Sequence, residues 1–179
     1  CWWTNHGDSI DSTLTRTLDL RSVNSATLKY WVNYDIEEFW DYTYVMVSTD
    51  DGASWKIVNT DLAKTHDPNG NAYGAGLTGM SGGWAQDSAD LSEYAGQRVL
   101  LRLEYITDDA VFSKGACFDD FELTELGWSD DTSLVGDWVA NGFALVEETV
   151  PTQYLVQIIH EKQVGDSIVH QIPIGVDAK

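Results

Sequence analysis

Several stretches of this chain alternate apolar and polar residues with a period of two, and no stretch alternates with a helical period. Leu14, Arg16 and Leu18 oppose Thr13, Thr15 and Thr17. Leu28, Tyr30, Val32 and Tyr34 fall on one face of the next stretch, Val45 and Val47 oppose Tyr44 and Met46, and Val99, Leu101, Leu103 and Tyr105 share a face further on. Cys117–Leu123 and Tyr154–His160 complete the set. Successive strand side chains point to opposite faces, so this period belongs to half-buried strands. β-Branched and aromatic residues dominate the stretches, and Gly, Asp and Asn punctuate them. Short strands separated by turn signals predict an all-β fold: an antiparallel, jelly-roll-like β-sandwich.

One stretch, YDIEEFWDYTYVMVSTDDGASW from Tyr34 to Trp55, carries more than strand signal. Asp51-Gly52 between alternating runs predicts a hairpin. Four acids, Asp35, Glu37, Glu38 and Asp41, crowd its entrance. Like charges held together repel, and a hard cation with oxygen ligands, Ca²⁺ above all, would relieve that repulsion. Trp55, just past the turn, is expected to plug the core. Trp40, amid the acids, is the tryptophan expected to be exposed and to touch a ligand.

The chain has 179 residues, 43% of them hydrophobic, which is enough to build a core. With 29 acids against 10 bases its formal net charge is −19. Nucleic-acid binding rests on neutralising phosphates, so nucleic acid is excluded as a partner, and anionic membranes are disfavoured for the same reason. No apolar run reaches membrane-spanning length, and nothing resembles a signal peptide. The chain opens on Cys1 rather than Met and is expected to be a piece of a longer protein. Two cysteines, Cys1 and Cys117, are too few for a disulfide framework, and the sequence leaves them either bridged or free.

Residues 60–83 break the strand rhythm with a glycine-rich run that is either a functional loop or a crossover between sheets. A second break, GWSDDTSLVG over 127–136, divides residues 1–126, the sandwich module, from 127–179. The later part is expected to be a linker and the start of a second β domain, or strands docked on the first.

Catalytic signatures are lacking. The His-Glu pair at His160-Glu161 is followed by Lys162, Gln163 and Val164, so the H-E-x-x-H zinc motif is absent. There is no G-x-S-x-G and no Gly-Lys-Ser/Thr phosphate loop. Asp67-Pro-Asn69-Gly-Asn71 has the opening of an EF-hand loop but Thr78 where a bidentate Glu would stand, and is read as a turn. Acids occur in pairs, among them Asp108/Asp109 and Asp119/Asp120. Neighbours on a strand face opposite ways, so one of Asp119 and Asp120 is expected to point inward. There it would need calcium or an arginine (Arg16, Arg98 or Arg102) as partner.

Four segments occur in a telling order: WWTNHGDSIDSTLTRTLDL, YDIEEFWDYTYVMVSTDDGASW, GGWAQDSADLSEYAGQRVLLRLEYITDD and GACFDDFEL. Together they resemble the β-sandwich that follows the catalytic domain in immune inhibitor A-type bacterial metallopeptidases. The resemblance covers about residues 2–125, and its most specific part is Glu38-x-x-Asp41-Tyr42 with Ser48-Thr49-Asp50-x-Gly52-x-x-Trp55. It implies a MAM-like sandwich, often with structural Ca²⁺ where an early loop meets the last strand. On that basis the implied ligands are Asp8, Asp11 and Asp119 or Asp120, with Glu38 and Asp41 as a second cluster.

The expected function is therefore that of a non-catalytic, calcium-stabilised module of a secreted or cell-surface bacterial protein. It would position neighbouring domains, adhere, or bind a glycan or protein ligand. A carbohydrate-binding module and a self-assembling architectural domain are the alternatives.

Overall fold

The computed structural model describes residues 1–146 and the backbone of strands 153–160 and 168–175. In the first of two compact units, Cys1–Val146, twelve strands form two sheets. They are β1 (Trp2–Trp3), β2 (Asp11–Asp19), β3 (Thr27–Ile36), β4 (Tyr42–Ser48), β5 (Lys56–Val58) and β6 (Gly79–Met80). Then come β7 (Ala85–Asp90), β8 (Arg98–Ile106), β9 (Gly115–Leu123), β10 (Trp128–Asp130), β11 (Val139–Asn141) and β12 (Ala144–Leu145). One sheet runs β12-β1-β9-β3-β6, with β10 also on β9 and β7 also on β3; the other runs β11-β2-β8-β4-β5. All these strand pairs are antiparallel. The second unit, Glu147–Lys179, contains an antiparallel pair, β13 (Gln153–His160) and β14 (Ile168–Gly175). His160 thus ends a strand, and residues 161–167 lie outside the described residues. No α-helix occurs among the described residues.

The alternation dictates which faces meet. Leu14, Leu28, Tyr30, Val32, Leu101, Leu103, Tyr105 and Phe118 are all fully buried between the sheets. Each such side chain contributes roughly 1.5–3 kcal/mol on leaving water. Within this core Tyr30 donates to the carboxylate of buried Asp87 at 2.7 Å. Asp87 also accepts from the backbone N–H of Leu62 (3.0 Å) and of Ser88 (2.9 Å).

Along β4 both faces are buried, and along β9 the alternation itself breaks. Lys29 pairs with Glu122 and Trp31 with Asp119, so β9 carries one residue too many for β3. The extra residue is a β-bulge at Asp120, whose φ is +48°. Phe118 and Phe121 both reach the core as a result, and neither Asp119 nor Asp120 points inward. The inward carboxylate expected from strict alternation is absent because the bulge resets the register.

The glycine-rich run is a crossover: it leaves β5 in one sheet and delivers β6 to the other. On the way it lies against the outer face of β4. There the backbone N–H of Tyr73 donates to the Tyr44 hydroxyl (3.1 Å), and Gly76 pairs with Lys64. The Asp67 carboxylate accepts N–H groups from Gly70, Asn71 and Ala72, making the EF-hand-like segment a turn. At the predicted hairpin, Asp51 and Gly52 both take positive φ (+54° and +90°), within a connection that spans 49–55. Trp55 does not plug the core. It is half-buried on the outer face, with the Arg102 guanidinium 3.7 Å from its ring centroid.

Strands β10, β11 and β12 pair with β9, β2 and β1, so the chain from Gly127 to Val146 completes the first unit. The polar break at 127–136 contains β10 and lies inside that unit, so these strands dock on the sandwich. Cys1 and Cys117 form a disulfide, with Cα atoms 5.6 Å apart. Such bonds persist in oxidising compartments.

Candidate metal centre

Three strand ends meet at one end of the sandwich. Glu37 directly follows β3, Asp41 directly precedes β4, and Asp108 lies just past β8. The turn between Glu37 and Asp41 is closed by the N–H of Trp40 and of Asp41, which donate to the Glu37 carbonyl at 3.4 and 3.1 Å. Buried Thr78 staples it, accepting from the Phe39 N–H (2.8 Å) and donating to the Glu37 carbonyl (3.1 Å). The Asp108 N–H donates to Asp41 Oδ1 at 2.9 Å and ties the exit of β8 to the turn. The early loop docks on the same exit. Thr107 donates its hydroxyl to the Gly7 carbonyl (2.8 Å) and accepts from the Ile10 N–H (2.9 Å).

These contacts bring one carboxylate oxygen each from Glu37, Asp41 and Asp108 within 4.8 Å of one another. Asp41 is fully buried, and its Oδ2 has no hydrogen-bond partner; neither has Oε2 of Glu37. No lysine or arginine pairs with any of the three among the described residues. At an effective dielectric of about 20, two unit charges at such distances repel by roughly 3–4 kcal/mol. Burial, followed by the charges of Asp108, Glu37 and Asp8, pushes the Asp41 carboxyl up to about 6, although the Asp108 N–H works the other way. Burial and the charges of Asp108 and Asp8 likewise raise Glu37. The buried Tyr105 phenol is pushed far above its ordinary value, by burial first and then by Asp41, Asp35 and Glu37.

Bare, buried carboxylate oxygens without a cation are costly. An all-oxygen donor set of this kind suits a hard cation such as Ca²⁺, which takes several carboxylate and carbonyl oxygens in flexible geometry. Glu37, Asp41 and Asp108 are the residues that would hold it, with Asp8 close enough to act on both Glu37 and Asp41.

The ligands expected from sequence are distributed over the fold. Asp41 is in the trio; Asp8 is not, though its charge is felt by Asp41 and Glu37. Glu38 points away into an ion pair with Lys64 at 2.8 Å. Asp11 opens β2, exposed on the other side of the early loop. Asp119 accepts from the Thr132 hydroxyl, and Asp120 is exposed in the bulge. Trp40 is 43% exposed and lines a cleft of about 460 Å³ next to Asp108. Glu37 belonged to the crowded entrance acids but not to the expected ligands, and Asp108 was only one of several paired acids. The signal for Glu37 is its spacing: positions i and i+4 across a single turn return both carboxylates to one place.

Residues 1–147 match the family described as immune inhibitor A-like, MAM domain. The chain belongs to that family. The matched span ends one residue past the first compact unit and contains the whole acidic trio of the MAM domain. It is 29% identical over 122 residues to the pre-pro-metalloprotease PrtV of Vibrio cholerae serotype O1 (strain M66-2), covering 68% of this chain and 13% of that protein. It is 30% identical over 152 residues to immune inhibitor A of Bacillus thuringiensis subsp. alesti, covering 83% of this chain and 21% of that protein. The MAM domain thus accounts for a small part of the length of these relatives.

Proposed function

We propose that this chain is a non-catalytic, calcium-stabilised accessory module of a secreted or cell-surface bacterial protein, one that carries a metalloprotease domain elsewhere. Its task is to hold neighbouring domains of the parent chain in place and to present a binding surface beside them. The observation that carries the calcium reading is the trio itself, with Asp41 buried and two buried carboxylate oxygens, on Asp41 and Glu37, lacking any partner. Ca²⁺ in that position would neutralise the repulsion and tie the ends of β3, β4 and β8 together, linking both sheets. The accessory role is supported by the absence of H-E-x-x-H from the sequence and by the small share of its relatives that the chain spans. The disulfide supports an extracytoplasmic site of action.

Thermal melts with excess EDTA and with Ca²⁺ test the reading. A ligand at 100 times its Kd adds about 2.7 kcal/mol, which in a domain this size raises Tm by roughly 5–10 °C. Asp41→Ala should abolish the shift. Identical melting curves of the parent chain in EDTA and in millimolar Ca²⁺ would falsify the calcium assignment.

A further inference from the structure

The outer face of the β11-β2-β8-β4-β5 sheet carries a cleft of about 600 Å³, within the size range of small-molecule sites. It is lined by the aromatic side chains of Tyr44, Trp55 and Tyr73, by Asp11, Lys56 and Glu104, and by apolar residues of β4, β5 and β8. We propose that this cleft binds a neutral oligosaccharide. The inference deepens the accessory reading and rests on it, but not on calcium: no residue of the acidic trio lines this cleft, and Asp108 lines only the adjoining 460 Å³ cleft.

Pyranose rings offer an apolar C–H face and a fringe of hydroxyls. The cleft offers the complement, aromatic surfaces beside the carboxylates of Asp11 and Glu104, the latter held by Arg102. The Trp55 ring is held in advance: Arg102 stacks over it at 3.7 Å and is itself fixed by Thr15 (3.2 Å) and Glu104 (3.1 Å). Tyr73 is 75% exposed, yet its backbone is tied to the Tyr44 hydroxyl and its ring stands edge-on to that of Tyr44, 6.3 Å away. Rings fixed before binding lose little entropy on contact, which suits a weakly binding ligand. Tyr73 and Ile106 also line the adjoining 460 Å³ cleft that contains Trp40, so a further aromatic ring lies along the same path. That continuity favours a chain of sugars over a single ring.

Charge and topology narrow the ligand. The cleft holds Asp11, Glu104 and Lys56, with Glu104 paired to Arg102 and Lys56 to Glu93, so the net charge of −19 on the whole chain is what disfavours acidic glycans. An extended peptide would have to satisfy its own backbone groups. The cleft lies over β8 and β4, whose backbones are paired on both sides, by β2 and β4 and by β8 and β5 respectively, and it reaches Lys56 and Ile57 of the edge strand β5. Over the paired strands recognition comes from side chains, which serves hydroxyl-rich sugars; a peptide would find backbone groups to pair with only at the β5 edge.

Tryptophan fluorescence and isothermal titration calorimetry on the full chain, with cellohexaose, chitohexaose and mannohexaose, test the proposal. At least one should bind with a Kd of about 1 mM or tighter, equally in Ca²⁺ and in EDTA. Tyr73→Ala should weaken that binding about tenfold or more without changing Tm, since the side chain is exposed, and Asp11→Asn should weaken it several-fold. No binding by any of the three sugars overturns the proposal, as does binding that survives Tyr73→Ala. So does a hyaluronan hexasaccharide or a lysine-rich decapeptide that binds as tightly and competes for the cleft. A calcium-dependent melt with a silent sugar panel would leave the metal reading intact and remove this one.

Discussion

Asp41 and Asp87 are both buried carboxylates, and the fold treats them differently. Asp87 accepts from Tyr30, Leu62 and Ser88, so its charge is shared among three donors. Asp41 accepts a single N–H and leaves Oδ2 bare, beside two further acids. Asp87→Ala should therefore cost about 1–3 kcal/mol in denaturant unfolding, because it strands the Tyr30 hydroxyl and two N–H groups. Asp41 behaves in the opposite sense when no metal is bound. Unfolded, its carboxyl titrates in the ordinary range; folded, at about 6. Between those values the folded state binds the extra proton, so its favourable contribution is present at low pH and is lost as pH rises towards 6 and above. Two pH units correspond to about 2.7 kcal/mol, and solvent screening at the mouth of the site reduces this to about half. In EDTA, Asp41→Asn should be more stable than the parent at pH 7.5, and the two should converge near pH 4. A constant difference across that range would contradict the assignment. Asp41 was legible as an acid in a crowded entrance. Asp108 was not, because its partnership depends on how β8 lies beside β4, which no local pattern encodes.

The long strands β2, β3, β4, β8 and β9 are the elements that period-two alternation identifies; β2, β3 and β8 bury the face the pattern assigns to them, β4 buries both faces, and β9 changes face at its bulge. Strand β7 reads AQDSAD and escapes, since only two of its residues are buried and both are small or charged. The bulge at Asp120 escapes for another reason: inserting one residue shifts the period without changing the composition. The glycine run left open whether it was loop or crossover, and Gly76 shows why glycine was needed. A Cβ there would lie 2.8 Å from the Tyr44 ring, and that ring is fully packed. Gly76→Ala should therefore push the crossover off β4 and cost about 1–3 kcal/mol in an unfolding titration. It should also loosen Tyr73, making proteolytic cleavage within 67–76 faster. Unchanged stability and protease resistance would mean that the loop is not seated on Tyr44.

At the scale of the whole molecule, the polar break at 127–136 looked like a domain boundary because composition changes there. Composition reports exposure, and a solvated connection inside a sandwich is as polar as a linker. What decides the boundary is the fate of the apolar residues beyond it. Trp138 is buried against Phe121, with ring centroids 5.0 Å apart, and Phe143 against Phe118 at 6.4 Å. Arg16 of β2 lies over the rings of Trp128 and Trp138, at 4.5 and 5.6 Å, and pairs with Asp130 at 3.0 Å. Removing these strands would also bare the edges of β2 and β1, now covered by β11 and β12. Losing a buried Trp and a buried Phe costs about 3–5 kcal/mol each, together comparable to the 5–15 kcal/mol by which a domain is typically stable. A fragment of residues 1–146 should accordingly melt cooperatively, whereas residues 1–126 should show no cooperative transition and should expose tryptophan to quencher. Cooperative melting of the shorter fragment at a similar Tm would show that β10–β12 are appendages and would return the boundary to Gly127.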